Sequence, residues 1–475
     1  MDASQCERRE EAAPLRFGTS GIRGVVGKAL TQDGCECTGR ALGTLLGQGA
    51  HVCLARDTRL SGPAVAEWVI RGLISSGAEV VDYGVAPTPA LAALSRAGDF
   101  AAGVMITASH NPSEYNGIKL FGSDGIGFSR TQERSIEWLC EHRKFNAGRG
   151  SSTPDDSALE RYISLLPPDL IHDALASRVP LLLDPGNGAA AGFARAVFER
   201  LGFRVSAVND TPDGSFPGRG PEPSAASLVG TCESLRVSGA HLAACFDGDA
   251  DRVVFCDCDG FLGLDEMIAF VAQHRVQQTS RRALATTVET GLLPQFALEQ
   301  VGGTVVRGKV GDVAVAHLTR ELDAALGAEN IGVYIFPEQG LYPDSLVAVL
   351  HVLAMLTEPD AVRRFIAGLP RVHMIKRKVS CPPPLRVPVM ARAGAALRDL
   401  LDSSGMAVVN TTDGLRLEMP DAWVLVRPSG TEPVVRVTSE ATDAARAEFL
   451  AREADVVMTR LITEAAGAVD VGGTS

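Results

Sequence analysis

The first candidate for chemistry is a serine at the end of an apolar run. Ala101–Thr107 (AAGVMIT) reads as a strand and passes into TASHNP, which sets Ser109 beside His110. A nucleophile at a strand end sits where α/β sheets place their clefts, and a neighbouring imidazole could handle a proton. The same residues could form a polar Asn-Pro turn. The Gly-x-Ser-x-Gly pattern of a serine-hydrolase elbow is absent. A second cluster, Asp247–Arg252 (DGDADR), follows the apolar run His241–Phe246. Asp247, Asp249 and Asp251 alternate with small residues, a hard-oxygen set suited to Mg²⁺ or Ca²⁺. Without a cation such carboxylates would repel one another. An EF-hand would need Gly at the sixth position and Glu at the twelfth; Arg252 and Cys258 stand there. A solvated acidic turn is the plainer alternative, and a strand leading straight into the cluster favours the metal.

A third segment, Arg427–Pro433 (RPSGTEP), follows Trp423–Val426 and combines Arg427, Ser429, Gly430 and Thr431, with Arg436 shortly beyond. Arginine grips phosphate as a fork, hydroxyls add donors, and glycine lets backbone N–H groups approach an anion. No Walker loop is present, and a hairpin turn fits equally well. Near the N-terminus, Phe17–Gly24 (FGTSGIRG) surrounds Arg23 with glycines, as an anion-facing loop or a flexible turn would. Lys119, in NGIK, could be a catalytic cation or an ordinary surface lysine.

The elements that must carry these loops are legible as alternation. Short apolar runs such as Pro180–Leu183 and Gly332–Phe336 precede amphipathic stretches, as in βα units around parallel or mixed sheets. Helices are expected at 31–48, 63–76, 186–202, 262–278, 311–321 and 344–357. The C-terminal piece differs: strands around Met406–Asn410, Leu415–Met419, Trp423–Val426 and Val434–Val437 precede a long helix, an α+β pattern. Polar or Pro-rich breaks at 147–156, 257–260 and 381–388 read as linkers. At 475 residues the chain exceeds the usual span of one core. The expected division is 14–150, 155–257, 258–369 and 370–475.

A formal net charge of -12 argues against nonspecific nucleic-acid binding, while leaving room for a local basic pocket for an anion. No apolar run reaches membrane-spanning length, and the charged N-terminus lacks a secretory core. Ten cysteines without a CxxC pair read as reduced thiols of a cytoplasmic protein.

Jointly, FGTSGIRG, TASHNP, DGDADR and RPSGTEP resemble the α-D-phosphohexomutase superfamily of phosphoglucomutase, phosphomannomutase and phosphoglucosamine mutase. RDTR (56–59), DPGNG (184–188), FPGRGPEP (216–223), KVGD (309–312) and Asp413–Gly414 are smaller echoes. The resemblance covers nearly the whole chain. It implies a four-domain, heart-shaped fold around one cleft, with three α/β domains and a TATA-box-binding-like α+β domain. It implies Ser109 as phosphoserine and Asp247, Asp249 and Asp251 as Mg²⁺ ligands, a phosphoserine oxygen completing the set. Arg252 would lie beside that phosphate, with His110 and Lys119 in proton transfer and Arg23 also in the catalytic site. Arg427, Ser429, Gly430, Thr431 and Arg436 would hold the distal phosphate. The implied activity interconverts hexose 1- and 6-phosphates through a bisphosphorylated sugar, in a monomer or homodimer.

One segment departs from the pattern. Where the family reads sugar hydroxyls with GEMSGH or GEQSGH, this chain has Ala328–Val333 (AENIGV). Glu329 and Gly332 are kept, while Ile331 and Val333 replace Ser and His. The sugar is therefore expected to be glucose or mannose, with phosphoglucosamine ranked lower because its mutases commonly keep Ser-Gly-His. An aspartyl phosphatase of DxDxT type would leave TASHNP and RPSGTEP unexplained, and a non-catalytic sugar-phosphate binder would leave the retained serine and aspartates unexplained.

Overall fold

The computed structural model describes residues 15–18, 20–401, 407–430 and 432–472. Thr431 and Met406 lie outside the described residues. The chain divides into two compact units. The first runs up to Leu262 and adds Gly311–Arg320 and Ile331–Pro359; the second comprises Gly263–Val310, Glu321–Asn330 and the chain from Asp360 onward.

Two mixed sheets organise the first unit. In one, the order is Ile22–Val25, Tyr115–Gly122, Ala102–Ile106, His51–Arg56, Glu79–Val85 and Ser152–Pro154. Ala102–Ile106 is buried throughout, runs parallel to His51–Arg56 and antiparallel to Tyr115–Gly122. Its continuous apolar character follows from being covered on both faces. The helices Gln32–Leu46 and Gly62–Ser75 contribute Cys35, Leu42, Val65, Val69 and Leu73 to the cover. The first of them starts where Thr31 Oγ1 accepts from the Gly34 N–H at 3.2 Å, a local N-cap.

The second sheet has the order Gly260–Phe261, Val253–Asp257, Leu242–Phe246, Leu181–Asp184 and Val205–Ala207. Here too the strand that feeds the acidic loop, Leu242–Phe246, is central and fully buried. Both candidate loops thus leave the C-terminal ends of central strands, where side chains are aimed by a rigid scaffold.

Several expectations need correction. The helix expected at 186–202 is only Phe193–Arg200. Gly186, Asn187 and Gly192 adopt positive φ, which breaks helical geometry ahead of it. Residues 147–156, read as a linker, include a strand: Ser152–Pro154 pairs in parallel with Glu79–Val85. Residues 257–260 are a hairpin turn, with Asp257 opposite Gly260. Residues 381–388 are a short turn of helix running into Arg386–Leu401.

In the second unit, Ala283–Thr287 pairs in parallel with Thr304–Gly308 and with Leu326–Glu329. A separate five-stranded antiparallel sheet follows, ordered His373–Ser380, Val434–Ala441, Ala422–Pro428, Leu415–Met419 and Val408–Asn410. Helices Arg386–Leu401 and Ala444–Gly472 pack on it through Val389, Ala393, Leu397, Leu450, Ala454 and Met458. The strand His373–Ser380 and the helix Arg386–Leu401 are additions to the elements expected from the sequence.

A buried polar cluster joins the two parts of this unit. Glu440 accepts from the Leu292 N–H and the Trp423 indole, each at 2.7 Å. Arg416 stacks on Trp423 at 3.8 Å and donates to the Val288 carbonyl. Burial, then the nearby Glu440 carboxylate, pushes Asp265 up to about 7. An unfolded aspartate titrates near 4, so between about pH 4 and pH 7 the folded chain keeps a proton that the unfolded chain releases. Stability should therefore fall as pH rises through that window. Asp265→Asn is expected to melt higher than the parent at pH 8 and to match it below about pH 4, where Asp265 is protonated in both states. Circular dichroism melts at the two pH values check this; an equal offset at both would show that the carboxylate's charge is not the cause.

Candidate active site

Ser109 is fully buried and its backbone is left-handed, with φ of 53°. A non-glycine residue in that region is held there by its surroundings. Its Oγ donates to Asp247 Oδ2 at 2.7 Å and lies 3.3 Å from His110 Nδ1. The serine and acidic loops, far apart in sequence, thus meet directly in the first unit. Gly248 is needed at the meeting point: a Cβ there would stand 2.4 Å from the Ser109 carbonyl oxygen. Ala250 also has positive φ, at 58°, so the acidic loop too holds a non-glycine residue in the left-handed region.

The three carboxylates can present oxygens all within 4.8 Å of one another. Lys119 bridges two of them, at 2.8 Å to Asp249 and 2.6 Å to Asp251. Thr88 Oγ1 donates to Asp249 Oδ2 at 2.6 Å, and its N–H donates to the Asp249 carbonyl. Asp249 Oδ1 and Asp251 Oδ1 are buried without a hydrogen-bond partner. Buried anionic oxygens left so call for a ligand, and a hard divalent cation fits this donor set.

The electrostatics follow from burial and these contacts. Burial pushes Asp247 well above the usual carboxylate range, and the charges of Asp251 and Asp249 add to it. Burial also disfavours a charge on Asp249, yet the Lys119 ammonium and the Thr88 hydroxyl hold it below that range. Burial works against the Lys119 charge, but Asp249 and Asp251 outweigh it and raise the ammonium above its ordinary value. His110 is pushed down to about 3 by burial, Arg252 and Arg23. At neutral pH the site therefore pairs a neutral imidazole with a protonated lysine. Arg23 is lowered by burial and feels Asp249 and Asp251; its Nε has no hydrogen-bond partner. Arg252 lies 3.8 Å from Asp251, and its N–H donates to Asp247 Oδ1 at 3.3 Å. All the residues expected at the transfer site are brought together in this unit.

The second unit carries the phosphate-loop residues. Arg427 and Arg436 stand directly opposite each other on adjacent antiparallel strands. Arg427 pairs with Glu289 at 2.9 Å and with Asp413 at 3.1 Å. Ser429 Oγ accepts from the Glu432 N–H at 3.1 Å and from Arg436 at 3.4 Å. Gly430 is exposed, and a Cβ there would meet nothing within 4 Å. Among the described residues no atom demands the glycine. Two arginines and a hydroxyl on a hairpin suit an oxyanion.

The sugar-loop segment is placed differently from a solvent-facing reader. Glu329 is buried at the end of the strand Leu326–Glu329, and Asn330 Nδ2 donates to the Glu289 carbonyl at 2.9 Å. Ile331 and Val333, in the first unit, pack with Ile126, Val315, Ala316 and Ile335. Val333 is thus buried and Ile331 partly buried against apolar neighbours.

Sequence reading misses Thr88 and Glu289. Neither sits in a motif: Thr88 begins the helix Thr88–Ala97, and Glu289 lies in a loop after a parallel strand. A threonine or glutamate in a turn carries no signal until folding reveals its neighbour.

Fold and site together define a multidomain α/β protein in which a buried serine is set against a cluster of three carboxylates. Residues 14–147, 160–260, 264–369 and 384–456 match, in order, the three alpha/beta/alpha domains and the C-terminal domain of phosphoglucomutase/phosphomannomutase. The chain is 38% identical over 454 residues to a Methanopyrus kandleri protein named probable phosphoglucosamine mutase, across 94% of this chain and 98% of that one. It is 34% identical to a Thermococcus kodakarensis phosphoglucomutase/phosphomannomutase, across 94% and 98%. A crystal structure of a phosphoglucomutase/phosphomannomutase family protein from Burkholderia thailandensis superposes with a TM-score of 0.81 at 28% identity, covering 94% of this chain and 97% of that one. The chain belongs to the phosphoglucomutase/phosphomannomutase family of the α-D-phosphohexomutase superfamily. It is a phosphohexomutase, an isomerase of carbohydrate metabolism, with the four domains of that fold. Among the described residues no helix is long and apolar enough to cross a membrane.

Proposed function

We propose that this phosphohexomutase interconverts a hexose 1-phosphate and a hexose 6-phosphate through a phosphoserine at Ser109 and a bisphosphorylated sugar. The observation that carries the reading is the direct bond from Ser109 Oγ to Asp247, inside a carboxylate cluster with two unpartnered oxygens. Asp247, Asp249 and Asp251, with an oxygen of the phosphorylated serine, would hold Mg²⁺. The ion would offset charge on the phosphoryl group in flight.

The chain's own residues account for the rest. A sugar hydroxyl attacks the phosphorus, its O–P bond forming as the serine O–P bond breaks. The hydroxyl proton passes to a neutral acceptor, for which His110 is in the right form, and is returned to the leaving Ser109 Oγ, 3.3 Å from His110 Nδ1, while Lys119 stays an ammonium and supplies positive charge. Arg23 and Arg252 add fixed cations beside the transferring group. Arg427, Ser429, Gly430 and Arg436, with Thr431 outside the described residues, are proposed to take the non-reacting phosphate. The bisphosphorylated sugar turns over and returns its other phosphate to the serine, and a trace of it would act as activator. Glu329 is retained as a sugar contact. The division at 14–150, 155–257, 258–369 and 370–475 is carried as the functional domains, in a cytoplasmic monomer or homodimer that binds no nucleic acid.

For the sugar, glucosamine phosphate becomes the first candidate, with glucose and mannose phosphates second. Its lower rank on sequence grounds rests on Ile331 and Val333. Since both pack in an apolar cluster, they report on packing and carry no vote on the sugar. The name of the 38% identical relative then favours the amino sugar. Turnover with Mg²⁺ and a trace of bisphosphate should be compared for glucosamine, glucose and mannose phosphates. The expected order of kcat/KM places glucosamine first by about tenfold or more, the scale one well-read polar group can supply. A preference for glucose or mannose would reverse the ranking, and no turnover of any of the three would sink the mutase reading.

A further inference from the structure

The second arginine of RDTR is an unexpected use of charge. Arg59 has no exposed surface, and all five of its side-chain N–H groups are directed at protein acceptors. Nε donates to Asp57 Oδ2 at 3.0 Å. One terminal nitrogen donates to the carbonyls of Pro112 at 2.6 Å and Tyr115 at 2.9 Å; the other donates to those of Ser109 at 2.7 Å and Asn111 at 2.6 Å. Its face lies 5.1 Å from the Phe216 ring. An arginine so engaged has no donor left for a substrate phosphate.

What it holds is the serine loop. The carbonyls of Ser109 and of three residues that follow it, Asn111, Pro112 and Tyr115, are gathered onto one planar cation. Asp57, fixed by Arg59, accepts from Thr107 Oγ1 at 2.5 Å, and Thr107 Oγ1 in turn accepts from the Ser109 N–H at 2.8 Å. Both backbone polar groups of Ser109 thus end on this one network, directly or through Asp57 and Thr107. A left-handed serine is strained and persists only where its surroundings over-determine it.

We propose that Arg59, with Asp57 and Thr107, is a positioning device that locks the Ser109 backbone in its left-handed conformation and so aims Oγ for phosphoryl transfer. The proposal rests on the phosphoserine reading above. Lysine cannot replace Arg59, because a single ammonium has three donors and no fork to span four carbonyls.

The test uses the full-length protein with Mg²⁺, sugar phosphate and ³²P-labelled bisphosphate. Arg59→Lys is expected to lower kcat by about 100-fold, the scale of a misplaced reacting atom. KM should stay within about threefold, since no substrate contact is removed. Labelling of Ser109 should slow in parallel with kcat. Parental kcat in a folded Arg59→Lys protein, or a loss confined to KM, overturns the proposal. Should Arg59→Lys fail to fold, Thr107→Val decides. It keeps the shape and removes only the hydroxyl between Asp57 and the Ser109 N–H, so kcat should fall by about tenfold at constant KM; parental kcat there overturns the proposal. Ser109→Ala separates the two readings. If that variant turns over normally, the serine carrier itself is wrong. If it is inactive while Arg59→Lys and Thr107→Val are normal, only the positioning role fails.

Discussion

Ser109→Ala is expected to lose turnover of every hexose phosphate, by on the order of 10⁴-fold or more, the scale on which removing a covalent nucleophile acts. The reason lies in the placement of the hydroxyl: Ser109 Oγ stands between Asp247 and the His110 imidazole, and the substitution leaves that position without an oxygen. The protein should still fold. Alanine tolerates the left-handed φ no worse than serine does, and the loss is one buried hydrogen bond that leaves an Asp247 oxygen without its donor, about 1–3 kcal/mol. Acid-stable ³²P incorporated from labelled bisphosphate should appear on the Ser109 peptide of the parent and be absent from the variant. Near-parental turnover in Ser109→Ala would remove the carrier role and with it the proposed two-step mechanism.

Asp249→Ala should be nearly as severe, with a different signature. Asp249 faces the cluster with an unpartnered Oδ1, while its Oδ2 receives both Lys119 and Thr88. Removing it takes one of three acidic ligands from the candidate metal site and leaves the Lys119 ammonium paired with Asp251 alone. Turnover is expected to fall on the order of 10³-fold or more, the usual effect of deleting a group that stabilises transferring charge. Metal affinity should fall with it, read by Mn²⁺ titration with paramagnetic resonance, independently of activity. Normal metal saturation together with normal turnover would show that the cluster serves another purpose.

These two expectations rest on residues that the chain displays by type and order alone. TASHNP and DGDADR each follow an apolar run, and both runs are central, fully buried strands. Local pattern specifies such elements, because burial on both faces leaves a continuous apolar signature. Helices with a cap, such as Gln32–Leu46 and Ser345–Met355, form close to their expected ranges. The helix expected at 186–202 is shorter because its first residues belong to a turn stabilised by contacts distant in sequence. Asn187, for example, donates to the Thr211 carbonyl and accepts from the Gly218 N–H.

The sequence by itself determined the chemistry available: a serine, three alternating carboxylates, a lysine and a set of arginines in a recognisable order. It also determined the strands that end at them. Only the tertiary structure decided what each charge is used for. Arg59 and Arg23 look alike in the chain, yet one is surrounded by carbonyls and the other faces carboxylates with a donor to spare. Ile331 and Val333 look like altered sugar contacts and turn out to be packing. The physical reason is that a side chain's role is set by its partners. Partners separated by a hundred residues or more, such as Ser109 and Asp247, leave no trace in local periodicity.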